Sequence, residues 1–251
     1  MMLYILSAFS VVTFDLCVAE KLTLPVISCK RNSTDYSTCL KQAIQEINSN
    51  INLFTFVGLP EFDFPSLDPL FYKRGRILYD KGEVRADVLA SNVSAIGLSN
   101  VRFLDVRSYF FNNNNIRLEI DGQASKLALK GYIKFLGSVN IFKVDSSGYF
   151  DITADDVRMT WVINGHVVND TLIIDCFHTA PSIAKVQLAL HDFFDGNKEF
   201  SDLVVSFVNE YWLPLYRIAL PPTADVWDIF LTNITNRLFS KVSFSKVFPQ
   251  N

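Results

Sequence analysis

Histidine, a common catalytic base and metal ligand, occurs only three times in the 251 residues. The sequence contains no G-x-S-x-G elbow, no H-E-x-x-H helix and no Walker loop. Asp155-Asp156 could be imagined as paired carboxylates, and Cys176 with His178 as a thiol–imidazole pair. Adjacent strand residues point to opposite faces, and we favour a structural role for both pairs. We therefore expect no enzyme, no cofactor and no bound metal.

Excess charge of either sign is also lacking. The chain has 23 Lys and Arg against 26 Asp and Glu, which gives a net charge of −3 and a pI near 5.6. This balance offers no electrostatic reason to expect nucleic acid or an anionic membrane as a partner. After the first residues, no apolar run reaches the roughly 18 residues of a spanning helix, so we expect no stable membrane insertion.

The N-terminal residues 1–19 are typical of a secretory signal peptide. The apolar stretch from Leu3 to Phe14 is too short to span a membrane, and Ala19 is a small residue at the expected cleavage position. The alternative is a buried N-terminal strand. We expect cleavage after Ala19, a secreted extracellular protein, and a mature chain of residues 20–251.

Cysteine is sparse but consistent with secretion. Removal of Cys17 with the signal leaves Cys29, Cys39 and Cys176. The first two are ten residues apart and form a plausible disulfide in an oxidising compartment, whereas Cys176 is expected to be a free, buried thiol. N-glycosylation sequons begin at Asn32, Asn92, Asn169 and Asn233.

The hydrophobic pattern changes its period twice along the chain. Residues 32–51 predict a first helix, and residues 76–176 alternate as antiparallel strands with one wet face. The alternation slips by one residue at Asp155-Asp156, which predicts a β-bulge and a strongly curved sheet. The Asn-Gly-His run at 164–166 predicts a hairpin turn.

Helical spacing returns after this segment. Ile183 to Phe194 is predicted as one helix, closed by Gly196 as a left-handed cap. A second helix starts at Phe200, and a further helical pattern follows Pro221-Pro222. The order helix, strands, helices predicts a single α+β domain.

Apolar residues are abundant: 49% of the chain is hydrophobic and Phe occurs 22 times. A well-packed core explains this surplus. A hydrophobic cavity between a curved sheet and long helices explains it equally well, and composition leaves both alternatives open.

Several segments together resemble one family. They are "LHDFFDGNKEFSDLVVSFVNEYW", "GLPEFDFPSLDPL", "NRLFSKVSFSKVFPQ", Pro221 at twelve residues after Asn209, and the spacing of Cys29 and Cys39. Over nearly the whole mature chain the sequence is similar to the insect takeout and haemolymph juvenile hormone binding protein family. The resemblance implies a long C-terminal helix wrapped by a highly curved antiparallel sheet that encloses an apolar tunnel. It also implies a binding protein and not an enzyme.

We therefore expect a secreted, monomeric carrier of a small lipophilic ligand, such as a juvenile-hormone-like terpenoid, a fatty acid or another lipid. The alternative is an extracellular signalling protein of feeding, chemosensory or circadian-output type with an incidental cavity. Interior prolines kink or break helices, so Pro214 and Pro222 predict a bent or split helix. Tyr211 and Trp212 are candidates to orient the ligand. The expected tunnel lining is Leu118, Ile133, Trp161, Phe207, Tyr211, Trp212, Leu215, Trp227, Phe230, Leu231 and Ile234.

Overall fold

The computed structural model describes residues 21–24, 27–49, 58–111, 114–139 and 141–250. The expected signal peptide and its cleavage position lie outside these residues. The first described helix, α1, spans Tyr36–Ser49. Its residues Tyr36, Leu40 and Ala43 fall on one face and are buried, as the helical spacing predicts. Cys29 and Cys39 form the expected disulfide, which ties the preceding segment to this helix.

A six-stranded antiparallel sheet forms most of the molecule. Its strands pair in the order β1-β2-β4-β5-β6, and β3 pairs with the first half of β4 beside β2. The sheet curls into a half-barrel around the C-terminal helices. It extends beyond the predicted 76–176 segment at both ends, with strands β1 (Leu70–Lys81), β2 (Val84–Ile96), β3 (Arg102–Phe110), β4 (Asn115–Val139), β5 (Phe142–Val168) and β6 (Thr171–His191).

Three long strands change face together, without a change of register. Ala124 pairs with Val157 and Lys126 with Asp155, so neither strand has an extra residue between these pairs. Asp156 has a positive φ of 47° at this point. Buried positions are even-numbered in β5 up to Ala154 and odd-numbered from Val157. The predicted face change is present, but a bulge with an added residue is not, because the neighbouring strands turn with β5.

The predicted helix at Ile183–Phe194 is wrong, because β6 continues to His191. The face change crosses β6 at Ala184 and Lys185, so its inward residues are Ile183 before the change and Val186, Leu188 and Leu190 after it. Of these, Ile183, Val186 and Leu190 match a helical stripe. Their spacing of three and four residues imitates a helix. Gly196 does have a positive φ, of 80°, but it ends a short 3-10 turn.

The predicted hairpin turn at 164–166 is also wrong. These residues lie inside β5, and the reversal occurs at Asn169 and Asp170, whose φ angles are 49° and 59°. Two consecutive positive φ angles are what a tight turn between twisted strands requires. Cys176 is free, but it is exposed and not buried as predicted. The register shift between Asn164 and Gly165 turns Cys176 to the outer face.

Helices follow the sheet: α2 (Lys198–Glu210), α3 (Trp212–Ser240) and the short α4 (Phe244–Val247). The expected split is present at Tyr211, between α2 and α3. Pro214 lies in the first turn of α3, where a missing N–H is tolerated, and α3 continues through Pro221 and Pro222.

Polar side chains of α2 and α3 cover the free edge of β6. The Asn236 amide donates to Ile174 O and accepts from Ile174 N, both at 2.8 Å. Asn209 makes the same pair of bonds with Leu188, at 3.0 and 2.7 Å. Such bonds protect a strand edge that would otherwise expose unpaired backbone groups.

The two clusters of packed buried residues lie in one half of the sheet, although Phe150 and Phe193 are also buried in the other half, at 6% and 5% exposure. In this closed half, β3 and the adjoining parts of β4, β5 and β6 pack under α1 and α4. The inward residues are buried there, and they include Val106, Ile116, Leu118, Ile120, Ile163, Leu172 and Ile174.

Candidate functional site: an apolar face in the open half of the sheet

The other half of the sheet has no such cover. We call it the open half: it runs from the row of Leu129 towards the tips of the β1–β2 and β4–β5 hairpins. Its inner side chains are set by the register and are apolar or small, with Ser146 and two tyrosines as the polar exceptions. The first charged residue on this face is Lys81 at the hairpin tip. The apolar members include Ile77, Val88, Ala90, Leu129, Ile133, Phe135, Val144, Phe150 and Ile152.

The outer face of the same strands is charged. Arg76 pairs with Asp87 at 2.6 Å and Lys130 with Asp151 at 3.2 Å. These pairs are largely exposed and add little stability. These charged residues alternate along the strands with the apolar inner residues. The alternation gives the sheet one face towards solvent and one towards the concave side.

Aromatic rings lie flat on the inner face where glycines leave room. A Cβ on Gly75 would stand 2.7 Å from the Tyr72 ring, and a Cβ on Gly148 would stand 2.6 Å from the Phe193 ring. Both approaches are too close for any residue larger than glycine. The two glycines therefore allow the rings of Tyr72 and Phe193 to approach the backbone of the inner face closely.

Helix α2 adds an apolar stripe. Phe200, Leu203 and Phe207 are spaced by three and four residues and are 43%, 64% and 54% exposed. The stripe lies between the packed face of the helix, which it adjoins at Val204, and the charged face, which it adjoins at Leu203. That charged face consists of Glu199, Asp202 and Glu210.

A cluster of three rings joins the free edge strand β1 to α3. The Tyr72 ring centre lies 5.4 Å from that of Trp227 and 4.9 Å from that of Phe230. Trp227 and Phe230 are 5.8 Å apart. Helix α3 thus spans from β6, which it meets through hydrogen bonds, to β1, which it meets through aromatic contacts.

The predicted lining residues fall into two groups. Leu118 and Ile234 are buried at 8% and 5% exposure, and Trp161 packs beside the core clusters with Phe103, at 5.9 Å. These three belong to the closed half or its border. The others border the open half or lie on α2 and α3, half-buried or exposed: Ile133, Phe207, Tyr211, Trp212, Leu215, Trp227, Phe230 and Leu231.

Tyr72 is the main residue that sequence reasoning missed. It lies on the inner face of β1, next to Trp227 and Phe230, which were predicted. Leu70 and Tyr72 are inward, but Lys73, Arg74 and Arg76 follow, and the alternation changes face before Gly75. The sequence signal for this position was the odd spacing of three residues between Tyr72 and Gly75, which is where the alternation changes face.

A recess of about 540 Å³ lies near the hairpin tips. It is lined by residues in three successive rows of β1, β2, β4 and β5, and two of those rows point outwards, with Asp80, Arg85, Asp87 and Lys143 among them. None of the predicted lining residues borders it. The recess therefore shares Tyr79 and Val144 with the inner face, and its charged lining belongs to the outer face.

Several titratable groups have structural partners. His178 Nδ1 lies 2.7 Å from Asp228 Oδ2, and the same carboxylate accepts the Thr179 N–H, which links β6 to α3. Burial raises the pKa of Tyr36 to about 12, against the opposing effect of Arg31.

Within the described ranges, no group of His, Cys, Asp and Glu could hold a metal ion. None of the described helices has the length and apolar character needed to cross a membrane.

These features define a class of protein in which an antiparallel sheet curls around C-terminal helices and presents an uncharged inner face. The model of the haemolymph juvenile hormone binding protein family matches residues 5–249, and the chain belongs to this family. The family's description is that of a binding protein.

Solved structures support the fold. The crystal structure of Takeout 1 from Epiphyas postvittana matches with a TM-score of 0.69 and 19% identity, over 88% of this chain and 99% of that one. A lipopolysaccharide binding protein matches over 66% of this chain and 32% of that one, at 11% identity and a TM-score of 0.27, which carries no argument. No curated protein matches the sequence.

Proposed function

We propose that the chain is a secreted carrier that binds a small lipophilic ligand in a tunnel between the inner face of the open half and helices α2 and α3. The observation that carries this proposal is the exposed apolar stripe of α2, a helix that packs along β6, together with an inner sheet face that carries no charge before Lys81 at the hairpin tip. Such a surface is unfavourable in water, and an apolar ligand would remove it from water. Family membership and the disulfide support carriage in an extracellular fluid.

The energetics are sufficient for useful affinity. Burying about 400 Å² of apolar surface contributes on the order of 10 kcal/mol before costs. Association entropy and ordering of side chains remove several kcal/mol of this amount. The remainder corresponds to dissociation constants of about micromolar to nanomolar.

The ligand classes that fit are a juvenile-hormone-like terpenoid, a fatty acid or another lipid. In this proposal the ligand contacts come from Ile133, Phe207, Tyr211, Trp227 and Leu231, whereas Leu118, Trp161 and Ile234 form the packed wall behind them. The carrier acts as a monomer. The sequons at Asn32, Asn92, Asn169 and Asn233 carry exposed asparagines and are proposed glycosylation sites.

Native mass spectrometry of the purified protein tests the proposal directly, because a carrier is expected to retain a lipophile during purification. A matched pair of filling variants locates the site. Ile133→Trp adds volume to the open half and should weaken binding of an uncharged fluorescent lipophile with little change in the unfolding midpoint. Leu118→Trp adds the same kind of volume at a packed position and should cost about 1–3 kcal/mol of stability.

Loss of stability in both variants with unchanged lipophile affinity would contradict the tunnel. Absence of any lipophile, both co-purified and added, would instead favour the alternative, an extracellular signalling protein with an incidental cavity. The two results are separable because the stability of each variant is measured alongside its affinity.

A further inference from the structure

Tyr72 is held more firmly than any exposed ring of the apolar stripe. Its ring lies against the backbone of Gly75 on one side and contacts Trp227 and Phe230 on α3. Contacts on several sides fix the ring and therefore fix the position of its hydroxyl. A hydroxyl positioned in advance binds a ligand with little further loss of entropy.

Two other polar groups near the inner face are already engaged. Ser146 Oγ accepts the Phe194 N–H at 2.8 Å, and Tyr216 Oη donates to Pro181 O at 2.9 Å. Within the described chain, neither the Tyr72 hydroxyl nor the Trp227 indole N–H has a hydrogen-bond partner. The side-chain atoms that are sealed from solvent without a hydrogen-bond partner belong instead to Arg31, Tyr36 and Thr179. The Tyr72 hydroxyl is therefore accessible to solvent.

We propose that the Tyr72 hydroxyl, assisted by the indole N–H of Trp227, whose ring centre lies 5.4 Å from that of Tyr72, recognises a hydroxyl, carbonyl or ester oxygen of the ligand. This inference rests on the proposed carrier function. Both groups can donate a hydrogen bond to such an oxygen. The apolar remainder of the ligand then extends from Tyr72 towards the hairpin tip at Tyr79, seven residues further along β1, or about 23 Å.

The same surroundings disfavour an ionised head group. Burying a charge is costly unless an opposite charge or several hydrogen bonds compensate it. Between Tyr72 and Tyr79 the inner face of β1 carries Gly75 and Ile77, and the paired rows of β2 and β4 add only apolar and small residues. The polar group that the ligand places at Tyr72 is therefore uncharged, and of the proposed ligand classes an ionised fatty acid fits this end of the face least well.

The test uses the full mature protein and displacement of the uncharged reporter phenylnaphthylamine. Competitors of equal chain length are methyl palmitate, hexadecanol, hexadecene and palmitate. The variant Tyr72→Phe removes the hydroxyl and keeps the ring, and Tyr79→Phe is the matched control on the same face of the same strand. Unfolding midpoints verify that both variants remain folded.

We expect Tyr72→Phe to weaken the binding of methyl palmitate and hexadecanol by about 3- to 10-fold and to leave the binding of hexadecene unchanged. Tyr79→Phe should change none of them, and palmitate should bind more weakly than its methyl ester. Equal losses for the ester and the hydrocarbon, or no loss, would overturn the role of Tyr72. Tighter binding of palmitate than of the ester would overturn the inference that the polar group at Tyr72 is uncharged. Failure of the wild-type protein to bind any competitor would overturn the carrier function as well.

Discussion

Strand β4 passes through both halves of the sheet, and the two halves treat the same sequence pattern differently. At its start, Ile116, Leu118 and Ile120 alternate with charged residues and are buried. Further along, Leu129, Ile133 and Phe135 alternate with lysines in the same way, yet they are only half-buried. The strand is equally amphipathic in both places. What differs is the cover, which α1 and α4 supply in the closed half alone.

This division separates stability from binding. The closed half contains the packed clusters, the disulfide and the junction with the C-terminus, where burial contributes most to folding. The open half keeps its apolar surface available. A carrier needs both properties, because the surface that is offered to a ligand cannot also be buried against the protein itself.

The largest effect is expected from a matched truncation in the two halves. Leu118→Ala removes a side chain that is 8% exposed and should cost about 2–5 kcal/mol, since a cavity remains in a packed core. Ile133→Ala should cost clearly less, about 1 kcal/mol, because its side chain already borders open space. Urea unfolding of both variants measures the difference. Equal losses would mean that the open half is packed as tightly as the closed one.

Local pattern was sufficient to predict the sheet and the first helix. Alternation in "IRLEID" and "KLALKGYIKF" predicted β4, and the spacing of Leu40 and Ile44 predicted α1. Pattern failed in β6, because a face change inside a strand leaves inward residues at helical spacing. Only the neighbouring strands distinguish such a strand from a helix, since β4, β5 and β6 change face together at the same row.

The candidate site was predictable in type but not in extent. Aromatic residues of α2 and α3 were recognised from their spacing, and Trp227 and Phe230 do meet the sheet. Sequence could not separate Leu118 from Ile133, because both are inward residues of one amphipathic strand. Their difference arises from elements that are distant in the chain, the helix before the sheet and the C-terminal segment after it.

A smaller effect should distinguish the two asparagines whose amides bond to the free edge of β6, one towards each end of the strand. Asn236 and Asn209 make the same pair of bonds with Ile174 and Leu188, but Ile174 is 3% exposed and Leu188 is only half-buried. Asn236→Ala leaves two buried backbone groups unpaired and should cost about 2 kcal/mol, whereas water can replace the bonds lost in Asn209→Ala, for about 1 kcal/mol. Chemical denaturation of the two variants provides the comparison. A larger loss for Asn209→Ala would reverse the assignment of the open and closed ends.

The smallest effect concerns the pH dependence of the closed end. Asp170 accepts hydrogen bonds from the Ser243 hydroxyl and, at 2.8 Å, from the Ser245 N–H, which fixes the β5–β6 turn to the start of α4. Burial opposes ionisation of this carboxyl, but the bonds from Ser243 and Ser245 and the nearby Lys21 outweigh it and lower its pKa.

A lowered pKa in the folded state means that the ionised form of Asp170 is more favourable in the folded protein than in the unfolded chain. The stabilisation is therefore complete above about pH 5 and is lost as the pH falls through the lowered pKa. Because the carboxylate is largely exposed, solvent screening keeps the contribution below about 1 kcal/mol. Asp170→Asn should be less stable than the wild type at neutral pH, and the difference should shrink as the pH falls below the usual pKa of an aspartate and through the lowered pKa of Asp170. Denaturation curves collected over this range of pH measure the gap, and a gap that stays constant with pH would show that the carboxylate charge plays no part in joining the turn to α4.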